Sequence, residues 1–175
     1  MTGQPHTLGD FHNHLVPGVD DGSGTLEDSL EGIQRMVGVG FTHIVTTPHF
    51  DASTLQREPS RAEEYLSRVT EGFNRVAEVA RKRFPELDFR RGQEVRLDVP
   101  DCDFSDERLR LGETNFALVE WPRFQIPPET TTVLSRFRAM IIPADISERI
   151  CLIRSVVFRF HASPLARASG PECDE

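Results

Sequence analysis

The strand–helix–strand pattern near the start of this chain constrains its fold more than any other feature. Leu8 to Leu15 reads as a strand, and Pro17-Gly18 bends the chain into the turn-rich stretch VPGVDDGSG. Leu26, Leu30, Ile33 and Val37 have helical spacing. They predict a helix that starts near Thr25, with Asp28 as an imperfect capping-box partner and Gly40 as its C-cap. Phe41 to Thr47 is again β-rich and ends in Pro48-His49. Strand, helix and strand with a short final connection form a βαβ unit, which belongs to a largely parallel sheet.

The alternation continues. Tyr65, Leu66, Val69, Phe73, Val76, Ala77 and Ala80 predict a helix from Pro59 to Phe84, stopped by Pro85. Leu87 to Leu97 reads as one strand with Gln93-Glu94 near its end. After a polar, acidic segment, Asn115 to Trp121 reads as a strand, Pro127 to Ala139 as a helix, and Ile141-Ile142-Pro143 as the opening of another strand. The expected class is α/β, in which chemistry gathers at the C-terminal ends of strands.

Composition narrows the function. The net charge is −8, and Lys82 is the only lysine among 20 dispersed cations. No basic stripe is present, which argues against a nucleic-acid partner. No apolar run approaches the roughly 18 residues of a membrane span, and the N-terminus lacks the features of a signal peptide. Cys102, Cys151 and Cys173 are too few and scattered for a disulfide framework or a cysteine-based zinc module, so a reducing cytoplasm is expected.

Potential metal ligands fall at the predicted strand ends. His12 and His14 are on the first, His49 follows the second, Glu94 is on the third and Glu120 on the fourth. Strand residues at i and i+2 share a face, so His12 and His14 can grip one ion. Asp20 and Asp21 lie just beyond and add carboxylate oxygens, although Asp-Asp-Gly alone also describes a solvated turn. Mixed imidazole and carboxylate ligands suit Mn, Fe or Zn better than Mg or Ca. Several carboxylates suit more than one ion, a device for phosphoester hydrolysis first and amide hydrolysis or deamination second. Cys102 and Arg108 match the C-x5-R spacing of cysteine-dependent phosphatases, but Asp103, Asp106 and Glu107 between them oppose both a thiolate and a phosphate cradle. That match is read as chance.

The segments DFHNHLVPGVDDGSGTLEDSL, GFTHIVTTPHF, RRGQEVRL and FALVEWPRFQIPP resemble the PHP (polymerase and histidinol phosphatase) family. The nearest branch is the metal-dependent protein tyrosine phosphatases of bacterial capsule and exopolysaccharide loci. The resemblance implies a distorted (β/α)7 barrel holding up to three ions, usually manganese, with other divalent metals as alternatives. It implies His12, His14, Asp21, His49, Glu94 and Glu120 as ligands, with Glu120 bridging and Asp10 a structural residue behind them. A metal-bound hydroxide would attack the phosphorus of phosphotyrosine on a partner protein, a bacterial tyrosine kinase in this branch. Arg123 would either favour phosphate or form a surface ion pair. Two rival readings stay open: a phosphoesterase acting on a small ester such as histidinol phosphate, and an inactive metal-binding remnant.

The resemblance stops near Met140. Residues 1–143 are expected to form the metallophosphatase domain, and residues 144–175 a divergent tail. Where the family has a His-Pro-Glu-Arg-like segment, this chain reads PADISERI. Arg149 would then be the phosphate-binding arginine, the histidine is absent, and Asp145 and Glu148 are candidate replacements. No later Asp-x-His pair follows, and His161 is read as an incidental surface residue. The expectation is a frameshifted or truncated member with an incomplete barrel. Its open sheet edge would be covered by residues 150–160 or by homo-oligomer formation, or would promote aggregation.

Overall fold

The structure, a computed structural model, describes residues 8–99, 105–114, 116–121 and the backbone of 155–159. Eleven elements follow one another: β1 (Leu8–Asp10), α1 (Leu26–Gly38), β2 (Phe41–Thr46), β3 (His49–Asp51), α2 (Ala52–Arg57), α3 (Pro59–Arg83), β4 (Asp88–Arg91), β5 (Glu94–Arg96), a 3-10 turn (Glu107–Leu109), β6 (Phe116–Glu120) and β7 (Ser155–Arg159). The expected helix and strand after Trp121, together with Cys102, Arg123, Asp145, Glu148, Arg149 and His161, lie outside the described residues.

The architecture is mixed α/β with parallel sheets. β1, β2 and β4 form one parallel sheet in that order. β3, β5 and β6 form a second parallel sheet, whose far strand β7 runs antiparallel to β6. Two chain segments cross from the first sheet to the second. β2 passes into β3 through Thr47-Pro48, and β4 passes into β5 through Gly92-Gln93. The expected single strand over Leu87–Leu97 is therefore two. The break has a steric cause: a Cβ on residue 92 would sit 2.7 Å from the Arg110 carbonyl oxygen, and the Gly92 N–H turns to the Thr46 carbonyl at 2.8 Å.

The first strand is also shorter than expected. Asp10 Oδ1 accepts from the His12 N–H at 2.8 Å and from Asn13 Nδ2 at 2.9 Å, which curls the chain out of the ladder. Residues 11–15 are instead fastened to the end of β2 by two fully buried threonines. The Thr47 N–H donates to the Asn13 carbonyl at 2.7 Å, and Thr46 Oγ1 accepts from the Leu15 N–H at 2.8 Å.

The capping box of α1 is complete. Thr25 Oγ1 accepts from the Asp28 N–H at 3.1 Å, and Asp28 Oδ2 accepts from the Thr25 N–H at 2.9 Å. Gly40 follows the C-cap with φ of 105°, a left-handed conformation that only glycine adopts cheaply. Leu30 and Ile33 of α1 pack with Leu15, Ile44, Val76 and Ala80. Val69, Phe73 and Ala77 of α3 enclose Val16. Gly72 permits this approach, because a Cβ there would lie 2.8 Å from Val16 Cγ1. α3 thus clamps the segment that follows the two histidines. The six-residue α2, not foreseen, puts the fully buried Ala52 into the core beneath the second sheet.

Candidate metal centre

The seam between the two sheets collects the polar residues. His12 and His14 come from the curled segment after β1, and Asp20 and Asp21 from the loop beyond it. His49 and Glu94 are the first residues of β3 and β5 and pair directly in register. Glu120 is the last residue of β6. The two histidines share one face because the Asp10 and threonine contacts shape residues 11–15, not because a strand continues through them.

Among the described residues, three groups could each hold a metal ion: His12, His14 and Glu94; His14, Asp21 and His49; His49, Glu94 and Glu120. His12 Nε2 lies 2.9 Å from Glu94 Oε1, and His14 Nε2 lies 3.5 Å from Glu94 Oε2. His49 Nδ1 lies 3.2 Å from both Glu94 Oε2 and Glu120 Oε1. Asp21 Oδ1 is 3.6 Å from His49 Nε2 and 3.9 Å from His14 Nδ1. All six residues named by the sequence meet in this cluster.

The donor set fits a divalent cation. Four carboxylates face three imidazoles, and the Glu94 side chain is only 2% exposed. A carboxylate so removed from water needs positive charge beside it. His49 Nδ1 is buried and lies 3.2 Å from both Glu94 Oε2 and Glu120 Oε1, so positive charge, from an ion or a proton, is needed between them. The same carboxylates favour protons on the imidazoles. Hydrogen bonding to Asp20 and Glu94 raises the His14 pKa from 6.5 to about 10, against an opposing effect of burial. The Glu120 carboxylate likewise lifts His49 above its ordinary value.

The aspartates divide unequally. Asp21 projects outward with its side chain 81% exposed, whereas that of Asp20 is 7% exposed. Burial pushes the Asp20 carboxyl up, but bonds from His14, Gly22 and His49 outweigh it and hold the pKa below its usual value. Gly22 allows this loop to close. A Cβ there would lie 2.3 Å from both Cβ and the carbonyl oxygen of His14. The supporting residues that sequence reasoning passed over are Thr46, Thr47 and Tyr65, whose hydroxyl donates to the His49 carbonyl. The TTPH run is the local signal for the two threonines, whereas Tyr65 shows in the sequence only as an apolar position of its helix.

Arg108, the described member of the C-x5-R match, is spoken for. Its guanidinium donates to both oxygens of Glu63, at 2.9 and 2.7 Å, and to Asp106 at 2.7 Å.

A family model described as capsular polysaccharide synthesis, CpsB/CapC, matches residues 8–139. The chain belongs to the CpsB/CapC family. The matched stretch contains every residue of the cluster. Among curated CpsB/CapC-like relatives, the tyrosine-protein phosphatase YwqE of Bacillus subtilis is 28% identical over 120 residues, covering 67% of this chain and 44% of YwqE. The tyrosine-protein phosphatase CpsB of Streptococcus agalactiae is 33% identical over 114 residues, covering 64% of this chain and 44% of CpsB. A solved structure matches with a TM-score of 0.56 at 25% identity, covering 75% of this chain and 51% of the other. It belongs to a study of YwqE from Bacillus subtilis and CpsB from Streptococcus pneumoniae as unique metal-dependent tyrosine phosphatases. The chain spans about half the length of the curated relatives it matches.

Proposed function

We propose that this chain acts in the metal-dependent removal of phosphate from tyrosine on proteins, in the service of capsule or exopolysaccharide synthesis. The observation that carries this reading is the cluster of three candidate ligand groups sharing His14, His49 and Glu94. The names of the relatives support it. His12, His14, Asp21, His49, Glu94 and Glu120 are the proposed ligands. Manganese is the proposed metal, as the family resemblance implies; mixed imidazole and carboxylate donors are compatible with it, as with Fe or Zn. A bound divalent ion supplies a Lewis acid that activates water and polarises a phosphoryl oxygen.

The chain's own residues do the rest. Glu94 holds the buried side of the centre, while the Asp21 and His12 side chains, 81% and 42% exposed, form its open mouth. Glu120, 20% exposed, stands between the two and faces an incoming phosphoryl group. Arg123 and Arg149 are proposed to neutralise phosphate oxygens, the first with a surface ion pair as its other role. The proposed substrate is a bacterial tyrosine kinase, met in the cytoplasm. Among the described residues no helix is long and apolar enough to cross a membrane. Strands β1 to β6, parallel and interleaved with helices, are proposed to be the first part of a distorted (β/α)7 barrel over residues 1–143; that alternation supports the reading.

Release of phosphate from a phosphotyrosine peptide, measured with Mn²⁺ and with EDTA, tests the proposal. The expected result is Mn²⁺-dependent release that survives Cys102→Ser and exceeds turnover of histidinol phosphate. A folded, Mn²⁺-loaded chain that releases nothing from the peptide would overturn it.

A further inference from the structure

Asp20 belongs to none of the three candidate ligand groups, yet it is the better-placed acid of the Asp20-Asp21 pair. Its Oδ2 lies 2.7 Å from His14 Nδ1 and accepts from the His49 N–H at 3.1 Å. Its Oδ1 accepts from the Gly22 N–H at 3.0 Å. Three contacts occupy two oxygens that are almost cut off from water, so little of this carboxylate is left for an ion. The geometry points to Asp20 as a positioning residue that selects which nitrogen His14 presents to metal; this inference rests on the metal-centre reading above.

The chemistry follows from the imidazole. A neutral ring has one N–H and one lone pair. A carboxylate acceptor 2.7 Å from Nδ1 keeps the proton there, which leaves the lone pair on Nε2. Nε2 is the nitrogen that faces Glu94 Oε2. His14 occurs in two of the three groups, but a single lone pair serves one ion. Asp20 therefore commits His14 to the group with His12 and Glu94, and leaves Asp21 and His49 to complete their ion with other donors. Its bond from the His49 main-chain N–H also holds the backbone of a second candidate ligand. A carboxylate behind a histidine ligand also raises the ring's basicity, and losing such a partner typically weakens metal binding about 10–100-fold.

The test uses the full chain and Zn²⁺, a diamagnetic probe of the same donors. Competition against a chromophoric chelator gives affinity, and long-range ¹H–¹⁵N correlation gives the His14 tautomer in the loaded protein. In the parent, His14 is expected to carry its proton on Nδ1 and bind Zn²⁺ through Nε2. Asp20→Asn keeps an acceptor but loses the charge, and is expected to weaken Zn²⁺ binding by at least about 10-fold. Asp20→Ala is expected to weaken it further and to give a mixture of His14 tautomers. Thermal melts of both metal-free variants establish that they fold, and Asp20→Asn carries the test if Asp20→Ala does not. Parent-like affinity and tautomer in a folded Asp20→Asn would overturn the inference while leaving the metal centre standing. Zn²⁺ bound through Nδ1 in the parent would do the same. A parent that binds no Zn²⁺ would overturn both.

Discussion

Single atoms decide the centre at the residue scale. Glu94 is present in two of the three ligand groups and sits 2.9 Å from His12 and 3.2 Å from His49. Glu94→Gln removes its charge without changing its shape. We expect a loss of Mn²⁺ affinity of about 100-fold or more, read by calorimetric titration, because charge-assisted contacts far outweigh neutral ones. Gly22→Ala forces a methyl group into His14, and should lower stability by about 1–3 kcal/mol while abolishing tight Mn²⁺ binding. Thermal melts and metal titration on the same protein separate the two effects. His14 also predicts a pH dependence. Its folded pKa of about 10 lies above the ordinary 6.5. In the metal-free chain this proton stabilises fully below about pH 6.5, and that stability is lost as pH rises through about 10. The melting temperature without metal should fall over that range, and a flat profile would refute the assignment. Metal affinity should rise with pH instead, since the ion displaces the proton.

The elements show what local sequence carries and what it does not. The α1 capping box and the apolar stripe of α3 are legible because each depends on residues three or four apart. Thr25→Ala should therefore cost about 1 kcal/mol in urea denaturation. Gly72→Ala should also destabilise, by about 1–3 kcal/mol, although alanine favours helices over glycine, since its methyl group would press on Val16. The division of Leu87–Leu97 into two strands is not legible. It is enforced by the Arg110 and Thr46 carbonyls, far away along the chain. The same applies to the curl of residues 11–15, where Asp10, Thr46 and Thr47 replace a ladder. In the centre, spacing exposed the histidine pair, His49, Glu94 and Glu120. It could not tell buried Asp20 from exposed Asp21, because loop closure over His14 makes that distinction.

For the molecule as a whole, the paired breaks at Thr47-Pro48 and Gly92-Gln93 leave two short sheets with little shared ladder between them. The candidate ligands straddle that line: His12 and His14 follow the first sheet, while His49, Glu94 and Glu120 belong to the second. A bound ion would then be a stitch across the fold as well as a reagent. Saturation at about 1,000 times Kd adds about 4 kcal/mol by mass action. The unfolding behaviour should change in kind as well as degree. With Mn²⁺ the two sheets should melt together, whereas EDTA should let them separate into two transitions, resolved by hydrogen exchange at Val45 and Val95. Cooperativity itself would then be a property this chain borrows from its metal.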